Sequence, residues 1–197
     1  MRTAYGRMFW GFILVLIDIN IPIDLLPDPI GFLLVCSGVS VLIEQFSGGR
    51  KVHITGIMLA IVSVPTVFIP QNTVTDLITM WGIYYFALGV LKLVLVFYVF
   101  QLMIANARKL GDPQLVKSTT SAMRIYAVTF IAAHIAIPFT INTYGSALMT
   151  ITTLSTGATL IVEIIFLYQL LKFRKLGGDD GGVEAEACLK DKRVDET

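Results

Sequence analysis

The sequence predicts an all-α integral membrane protein, a bundle of six transmembrane helices arranged as three helical hairpins. Hydrophobic residues make up 55% of the 197-residue chain and charged residues only 15%, whereas about a quarter of the residues in an average soluble domain are charged. The apolar residues fall in long runs, and the mean hydropathy of +0.77 agrees with a location in a bilayer. The basic residues gather between alternate runs, which predicts an even number of crossings.

Six apolar segments can be delimited along the chain. A helix needs roughly 20 residues to cross a bilayer, and the first three segments are on the short side. The first one follows Arg2 and Arg7 and reaches Asp18 without a small-residue cleavage site, so it is predicted to be an uncleaved helix. The segments cover about residues 7–25, 29–46, 53–70, 81–105, 121–140 and 146–172.

The basic residues predict the orientation of these segments. Three connections, around residues 20–28, 70–80 and 140–146, contain no lysine or arginine. By the positive-inside rule the opposite side is the cytoplasm and holds both termini. The chain is thus predicted to be a multi-pass protein of the plasma membrane, with the lipid bilayer as its first partner. The basic residues on that side are Arg2, Arg7, Arg50, Lys51, Arg108, Lys109, Lys117, Arg124, Lys172, Arg174 and Lys175.

The stretch DINIPIDLLPDPIG, residues 18–31, is predicted to form the outer turn of the first hairpin. Asp28 directly precedes Pro29, which is the arrangement of an N-cap followed by proline at the first helical position. A divalent cation is the alternative role for these carboxylates, but their spacing matches no calcium loop, and no metal site is predicted. The turn residues singled out are Asp18, Asn20, Asp24, Pro27, Asp28 and Gly31.

Two ionisable residues lie inside the predicted spans. Lys92 is the only basic residue deep in a span, and Glu163 lies in the last one. Ionisable groups within a membrane need a partner and often mark a functional site. Lys92 and Glu163 are therefore predicted to meet as an ion pair, either at a functional site or as a structural pair. In the remaining alternative, Lys92 extends its side chain to the headgroups.

A polar stripe precedes Glu163 on the last segment. Thr152, Thr156 and Thr159 share one helical face with Glu163. Such a stripe either lines a polar cavity or packs helices together, and hydroxylated residues more often do the second.

Small residues and one histidine complete the candidate positions. Gly31 and Gly38 are seven residues apart, as are Gly82 and Gly89, which predicts two close-packing faces. His134, near the outer end of the fifth segment, is a weak signal for proton transfer or metal binding.

Composition divides the chain into two parts. Residues 1–176 form the predicted transmembrane domain, and residues 177–197 read GGDDGGVEAEACLKDKRVDET after Leu176. This polar, glycine-rich segment offers too little apolar surface to fold and is predicted to be a disordered cytoplasmic tail.

The motifs of several enzyme classes are missing. There is no HExxH, no Walker loop and no GxSxG, so no enzyme activity and no cofactor are predicted. No basic run suits nucleic acid. The leading hypothesis is a small transporter or permease-like bundle for a small molecule or ion. The alternative is a non-transporting scaffold or sensor accessory that binds a protein partner or a second copy. A water-filled cavity at Lys92 and Glu163 would favour transport, and a dry bundle would favour the scaffold.

The outer turn also resembles a known family. It is similar to the first hairpin of uncharacterised multi-pass membrane proteins of Gram-positive bacteria, which carry an Asp-rich Leu-Pro-Asp-x-Ile-Gly turn. The resemblance covers about a tenth of the chain and implies a bacterial plasma membrane, but no activity. The matching residues are Asp18, Asn20, Asp24, Leu26, Pro27, Asp28, Ile30 and Gly31.

Overall fold

The protein is all-α, with six α-helices, one short 3-10 helix and no strand among the residues that the structure describes. A computed structural model describes residues 1–20, 28–46, 48–68, 80–139 and 146–194. The helices are α1 (Arg2–Asn20), α2 (Asp28–Ser40), α3 (Gly49–Val62), α4 (Met80–Lys109), α5 (Pro113–Phe139) and α6 (Ser146–Val194), and the 3-10 helix is Val64–Phe68. One α-helix corresponds to each of the six apolar segments of the sequence.

The connection between α4 and α5 shows how the chain reverses at one end of the bundle. Gly111 has φ 68°, a conformation that favours glycine. The backbone N–H of Leu115 donates to Asp112 Oδ1 at 2.9 Å. Asp112 therefore caps α5, and Pro113 occupies the first helical position, where its missing N–H costs nothing.

The third helix is shorter than its apolar segment. Pro65 has no N–H to donate, and in an α-helix its ring would clash with the carbonyl of Ile61. The α-helix accordingly ends at Val62 and the chain continues as the 3-10 helix. The Tyr84 hydroxyl of α4 donates to the Val62 carbonyl at this break. The Ser63 carbonyl accepts both the backbone N–H of Thr66 at 3.1 Å and its hydroxyl at 2.7 Å.

The helices form a closed circle. Each helix packs against its neighbours in the sequence, and α6 returns to pack against α1. The interior of this circle is filled by aromatic side chains from α1, α4, α5 and α6. Phe166 lies at the centre, with its ring 4.8 Å from that of Phe12 and 5.1 Å from that of Phe100. Tyr126 and Phe130 continue the column on α5, their rings stacked 5.7 Å apart.

The basic residues gather at one end of this circle. Lys109 Nζ, at the end of α4, lies 5.4 Å from the ring of Phe46, which follows α2. Tyr5 near the start of α1 packs against Phe173 of α6, with ring centroids 5.4 Å apart. The start of α1, the connection after α2, the end of α4 and the basic part of α6 are thus at the same end of the bundle.

Glycines bring α1 and α2 into backbone contact. Gly31 and Gly38 of α2 both face α1, where they meet Gly11 and Ala4. The close-packing face predicted from their seven-residue spacing is confirmed. Gly89 of α4 instead makes room for a side chain of α5, since a Cβ there would collide with the imidazole of His134.

The last helix continues beyond the predicted domain boundary. The backbone of α6 is helical as far as Val194, although the sequence predicts that residues 177–197 are disordered. The prediction of disorder depends on composition: residues 177–182 contain four glycines, and each lowers helix stability by about 1 kcal/mol relative to alanine. The structure describes no side chains beyond residue 176, so the domain boundary at that position stays a prediction.

Candidate functional site

The two ionisable residues of the apolar segments, Lys92 and Glu163, meet inside the bundle. Lys92 Nζ of α4 lies 2.8 Å from Glu163 Oε1 of α6, and the two residues are only 7% and 4% exposed. The Tyr126 hydroxyl of α5 donates to the same carboxylate oxygen at 3.1 Å. Three helices therefore contribute to one buried polar cluster, which we call the Lys92–Glu163–Tyr126 cluster. It holds the only ion pair among the described residues.

Aromatic and aliphatic side chains surround this cluster. The ring of Tyr126 lies 5.9 Å from those of both Phe100 and Phe166. Leu95 and Val96, one turn further along α4 towards its basic end, are fully buried. Burial of an ion pair is costly unless good geometry and further hydrogen bonds compensate for the lost hydration. The 2.8 Å Lys92–Glu163 distance and the hydrogen bond from the Tyr126 hydroxyl provide such compensation.

The threonine stripe does not join the cluster as a whole. Thr152 and Thr156 are exposed, and only Thr159, one turn before Glu163, is partly buried. The Thr152 hydroxyl donates to the Leu148 carbonyl at 2.9 Å, and that of Thr159 donates to the Ser155 carbonyl. These hydroxyls bond to their own helix backbone, as serine and threonine often do within helices, so the described contacts give no support to a polar cavity along the stripe.

The residues of the outer turn are described only in part. Asp18 and Asn20 belong to the last turn of α1, and their side chains are outside the description, while Asp24 and Pro27 lie outside the described residues altogether. Helix α2 begins at Asp28, in agreement with the predicted start of the second helix. The capping hydrogen bond itself stays a prediction.

His134 has a packing role in the described structure. Its ring stacks on that of Phe130 at 4.4 Å, and its Nδ1 lies 3.1 Å from the Phe130 carbonyl oxygen. This contact assigns the proton to Nδ1, because only an N–H can bond to a carbonyl. An apolar groove of about 430 Å³ between α4 and α5 is lined by His134 together with Phe86, Val90 and Ile131.

A second buried polar group lies nearer the basic end. Asn106 Nδ2 of α4 donates to the Tyr5 hydroxyl of α1 at 2.9 Å, directly across the circle of helices. The Asn106 side-chain oxygen, the Thr119 hydroxyl and the Gln169 side-chain oxygen are buried without a hydrogen-bond partner among the described residues. Buried polar atoms of this kind usually bind ordered water.

Sequence reasoning found the two charges of the cluster but not its third member. An isolated lysine or glutamate in an apolar run is conspicuous, whereas a tyrosine such as Tyr126 occurs equally often in apolar packing. Tyr5 and Asn106 were missed for the same reason, since each is a single residue whose partner is about 100 positions away. No local spacing connects such residues, and only the closed circle of helices brings them together.

The comparisons with known proteins identify no relative. The chain matches no family model, no curated protein and no solved structure.

Proposed function

We propose that this chain is a six-span protein of a bacterial plasma membrane and that it works as a small permease-like bundle. The proposal is supported by the outer surface, where large apolar side chains face outward, and by the burial of one lysine and one glutamate in the interior. Every helix carries a large apolar side chain that is more than half exposed. Examples from α1 to α6 are Trp10, Leu33, Ile61, Ile83, Val128 and Leu154.

Helix lengths support the number of crossings to different degrees. Two helices, Met80–Lys109 and Ser146–Leu176, are long and apolar enough to cross a membrane by length and composition. Helix α1 has 19 residues and α5 has 27, which correspond to about 28 Å and about 40 Å at 1.5 Å per residue. Helices α2 and α3 have 13 and 14 residues, about 20 Å each. They reach across only with their flanking turns or where the bilayer is thinner.

The observation that carries the permease proposal is the Lys92–Glu163–Tyr126 cluster. An ionisable pair in a membrane interior is expensive and is found mainly where ions or polar solutes pass. Here α4, α5 and α6 hold it inside a closed circle of helices. A relative movement of these three helices would open the pair to one side, and the substrate would be a small polar molecule or ion that competes for Lys92 or Glu163.

Dense packing favours the second candidate, a non-transporting scaffold. Neither of the two described grooves includes Lys92 or Glu163, and the aromatic column packs directly against the cluster. In a scaffold the pair would only fix the register of the helices, and the cytoplasmic connections or the tail would bind a protein partner.

Thiol accessibility separates the two candidates. After Cys36 and Cys188 are replaced by alanine, cysteine is introduced at Thr159 and at Val96, on the outer and inner sides of the cluster. A permease should expose both positions in turn to a small hydrophilic thiol reagent, so both react over time in membranes. A scaffold should leave both unreactive.

Two positions on α6 provide matched controls for this labelling. Cysteine at Ile161, which is 60% exposed but is proposed to face lipid, should stay unreactive to the hydrophilic reagent. Cysteine at Lys175, exposed at the basic end, should react in opened membranes. If only the Lys175 variant reacts, the permease proposal is wrong and the scaffold stands.

The six crossings have a separate test in intact cells. Cysteine at Asp24, Gln71 or Thr143 should react with an impermeant thiol reagent added outside. The structure guides the choice of inner positions, because Gly111 has φ 68° and a Cβ on Gly49 would lie 2.9 Å from the Ile43 Cα. Gly48 and Leu110 avoid both problems, and cysteines there should be protected until the cells are opened. Labelling of these inner cysteines from outside would contradict the proposed orientation.

A further inference from the structure

A basic groove lies where α1, α2 and α6 meet at the basic end of the bundle. Its volume is about 410 Å³, and it is open to the side. Three of the residues that line it are arginines, Arg2 and Arg7 of α1 and Arg174 of α6, and none is an acid. Among the described residues the only ion pair is that of Lys92 with Glu163, so no described carboxylate neutralises these three guanidinium groups.

The chain positions these arginines by specific contacts. Arg7 Nη1 donates to the Ser37 hydroxyl of α2 at 3.1 Å, which holds its guanidinium between the two helices. Arg174 lies across α1 at Gly6, where its Nε is 3.6 Å from the position that a Cβ would occupy. This is an ordinary van der Waals separation, so the Arg174 side chain packs on α1 at the edge of the groove. Arginine presents several N–H donors in a planar fork, which matches the oxygens of a phosphate group.

The remaining lining is apolar. Trp10 is 55% exposed and lies one turn further into the proposed membrane than Arg7, and Leu34 of α2 is also part of the wall. Tryptophan is enriched at the level of lipid headgroups, where an apolar ring and a polar N–H are both accommodated. The groove is charged at one end and apolar at the other. It therefore matches an amphipathic anion better than an inorganic anion without an apolar part.

We propose that this groove binds the phosphate of an anionic phospholipid headgroup from the cytoplasmic leaflet. Basic pockets between transmembrane helices on the cytoplasmic side are suited to such headgroups. The arginines would bind the phosphate oxygens, while Trp10 and Leu34 contact the glycerol and the start of the acyl chains. The inference rests on the membrane placement proposed above, but it does not depend on whether the cluster transports anything.

The test measures lipid binding by the full chain purified in a non-ionic detergent. In a Trp81→Phe variant, Trp10 is the remaining tryptophan, and its fluorescence reports the groove directly. Dioctanoyl phosphatidylglycerol should bind saturably, and dioctanoyl phosphatidylcholine should bind at least tenfold more weakly. Arg2→Gln, Arg7→Gln and Arg174→Gln should each weaken phosphatidylglycerol binding about fivefold, as expected for one basic residue at an anionic surface.

Controls of equal charge lie outside the groove at the same end. Arg108→Gln and Lys175→Gln remove one positive charge each and should leave the binding unchanged. An equal loss of phosphatidylglycerol affinity in these two variants would show general attraction to the basic surface, and it would overturn the assignment of binding to the groove. Equal binding of glycerol 3-phosphate would show that the site takes free phosphate and overturn the lipid assignment. Circular dichroism on every variant excludes unfolding as the cause.

Failure of the lipid-binding proposal can be distinguished from failure of the proposed membrane placement. If lipid binding is absent while cysteine labelling shows six crossings, the groove proposal alone is wrong. If labelling contradicts the crossings, the membrane proposal is wrong whatever the detergent experiment shows.

Discussion

Replacement of Lys92 by methionine is expected to destabilise the protein by about 3–5 kcal/mol, because it leaves the Glu163 carboxylate buried without its cation. Glu163→Gln should have a similar effect by leaving the Lys92 ammonium uncompensated. The two groups are 2.8 Å apart and neither is appreciably exposed, so water cannot replace the lost partner. The measurement is the free energy of unfolding in mixed detergent micelles for each single variant and for the double variant.

The double variant gives the sharper result. Lys92→Met with Glu163→Gln removes both charges and should cost less than the sum of the two single changes, because no unpaired charge remains. Strictly additive losses would show that the two groups do not interact. Tyr126→Phe is a matched control within the same cluster. It removes one hydrogen bond to the carboxylate and no ion-pair partner, so its cost should be only about 1.5–3 kcal/mol.

The double variant also tests the role of the cluster. If the pair serves transport, a folded double variant should lose the activity identified in a deletion strain. If the pair is structural, the folded double variant should keep that activity.

Whether the sequence predicts contact between Lys92 and Glu163 depends on how α4 and α6 are aligned along the axis of the bundle. With the basic ends of α4 and α6 set at the same level, Lys92 and Glu163 differ in depth by roughly 10 Å. In the structure Tyr5 contacts both Asn106 and Phe173, which places those two residues at one level. From that level Lys92 is roughly 21 Å away and Glu163 roughly 15 Å at 1.5 Å per residue. The length of the lysine side chain is sufficient to cover the remaining difference, and Nζ lies 2.8 Å from Glu163 Oε1.

The existence of the six helices was predictable because each contains an apolar run. The ends were less predictable: Pro65 ends α3 at Val62, whereas the predicted segment ran to residue 70, and α5 already begins at Pro113, eight residues before its apolar segment. The helix neighbours were not predictable in the same way. The contact of α6 with α1 joins the two ends of the chain, and the circle it closes determines which side chains, such as Tyr126 and Asn106, face the interior.

The second large effect is expected at the glycines between α1 and α2. A Cβ on Gly38 would lie 2.6 Å from the Ala4 carbonyl oxygen, and one on Gly31 would lie 2.9 Å from the Gly11 carbonyl oxygen. These neighbours are backbone atoms, so they cannot move aside without shifting a helix. Gly31→Ala and Gly38→Ala should each destabilise the protein by about 1–3 kcal/mol through overpacking, and the Gly31→Ala, Gly38→Ala double variant should separate α1 from α2.

A helix-interior glycine without neighbours serves as the matched control for this interface. Gly157 of α6 has nothing within 4 Å of its ideal Cβ position, so Gly157→Ala should be neutral or should stabilise the protein by up to about 1 kcal/mol through helix propensity. Alanine raises helix propensity at Gly31, Gly38 and Gly157 alike. A loss of stability at the first two and none at the third would therefore be due to close packing and not to helix propensity. Unfolding free energies measured in the same detergent give the comparison. A neutral or stabilising Gly38→Ala would show that the two backbones are not in contact and that α1 and α2 pack through longer side chains.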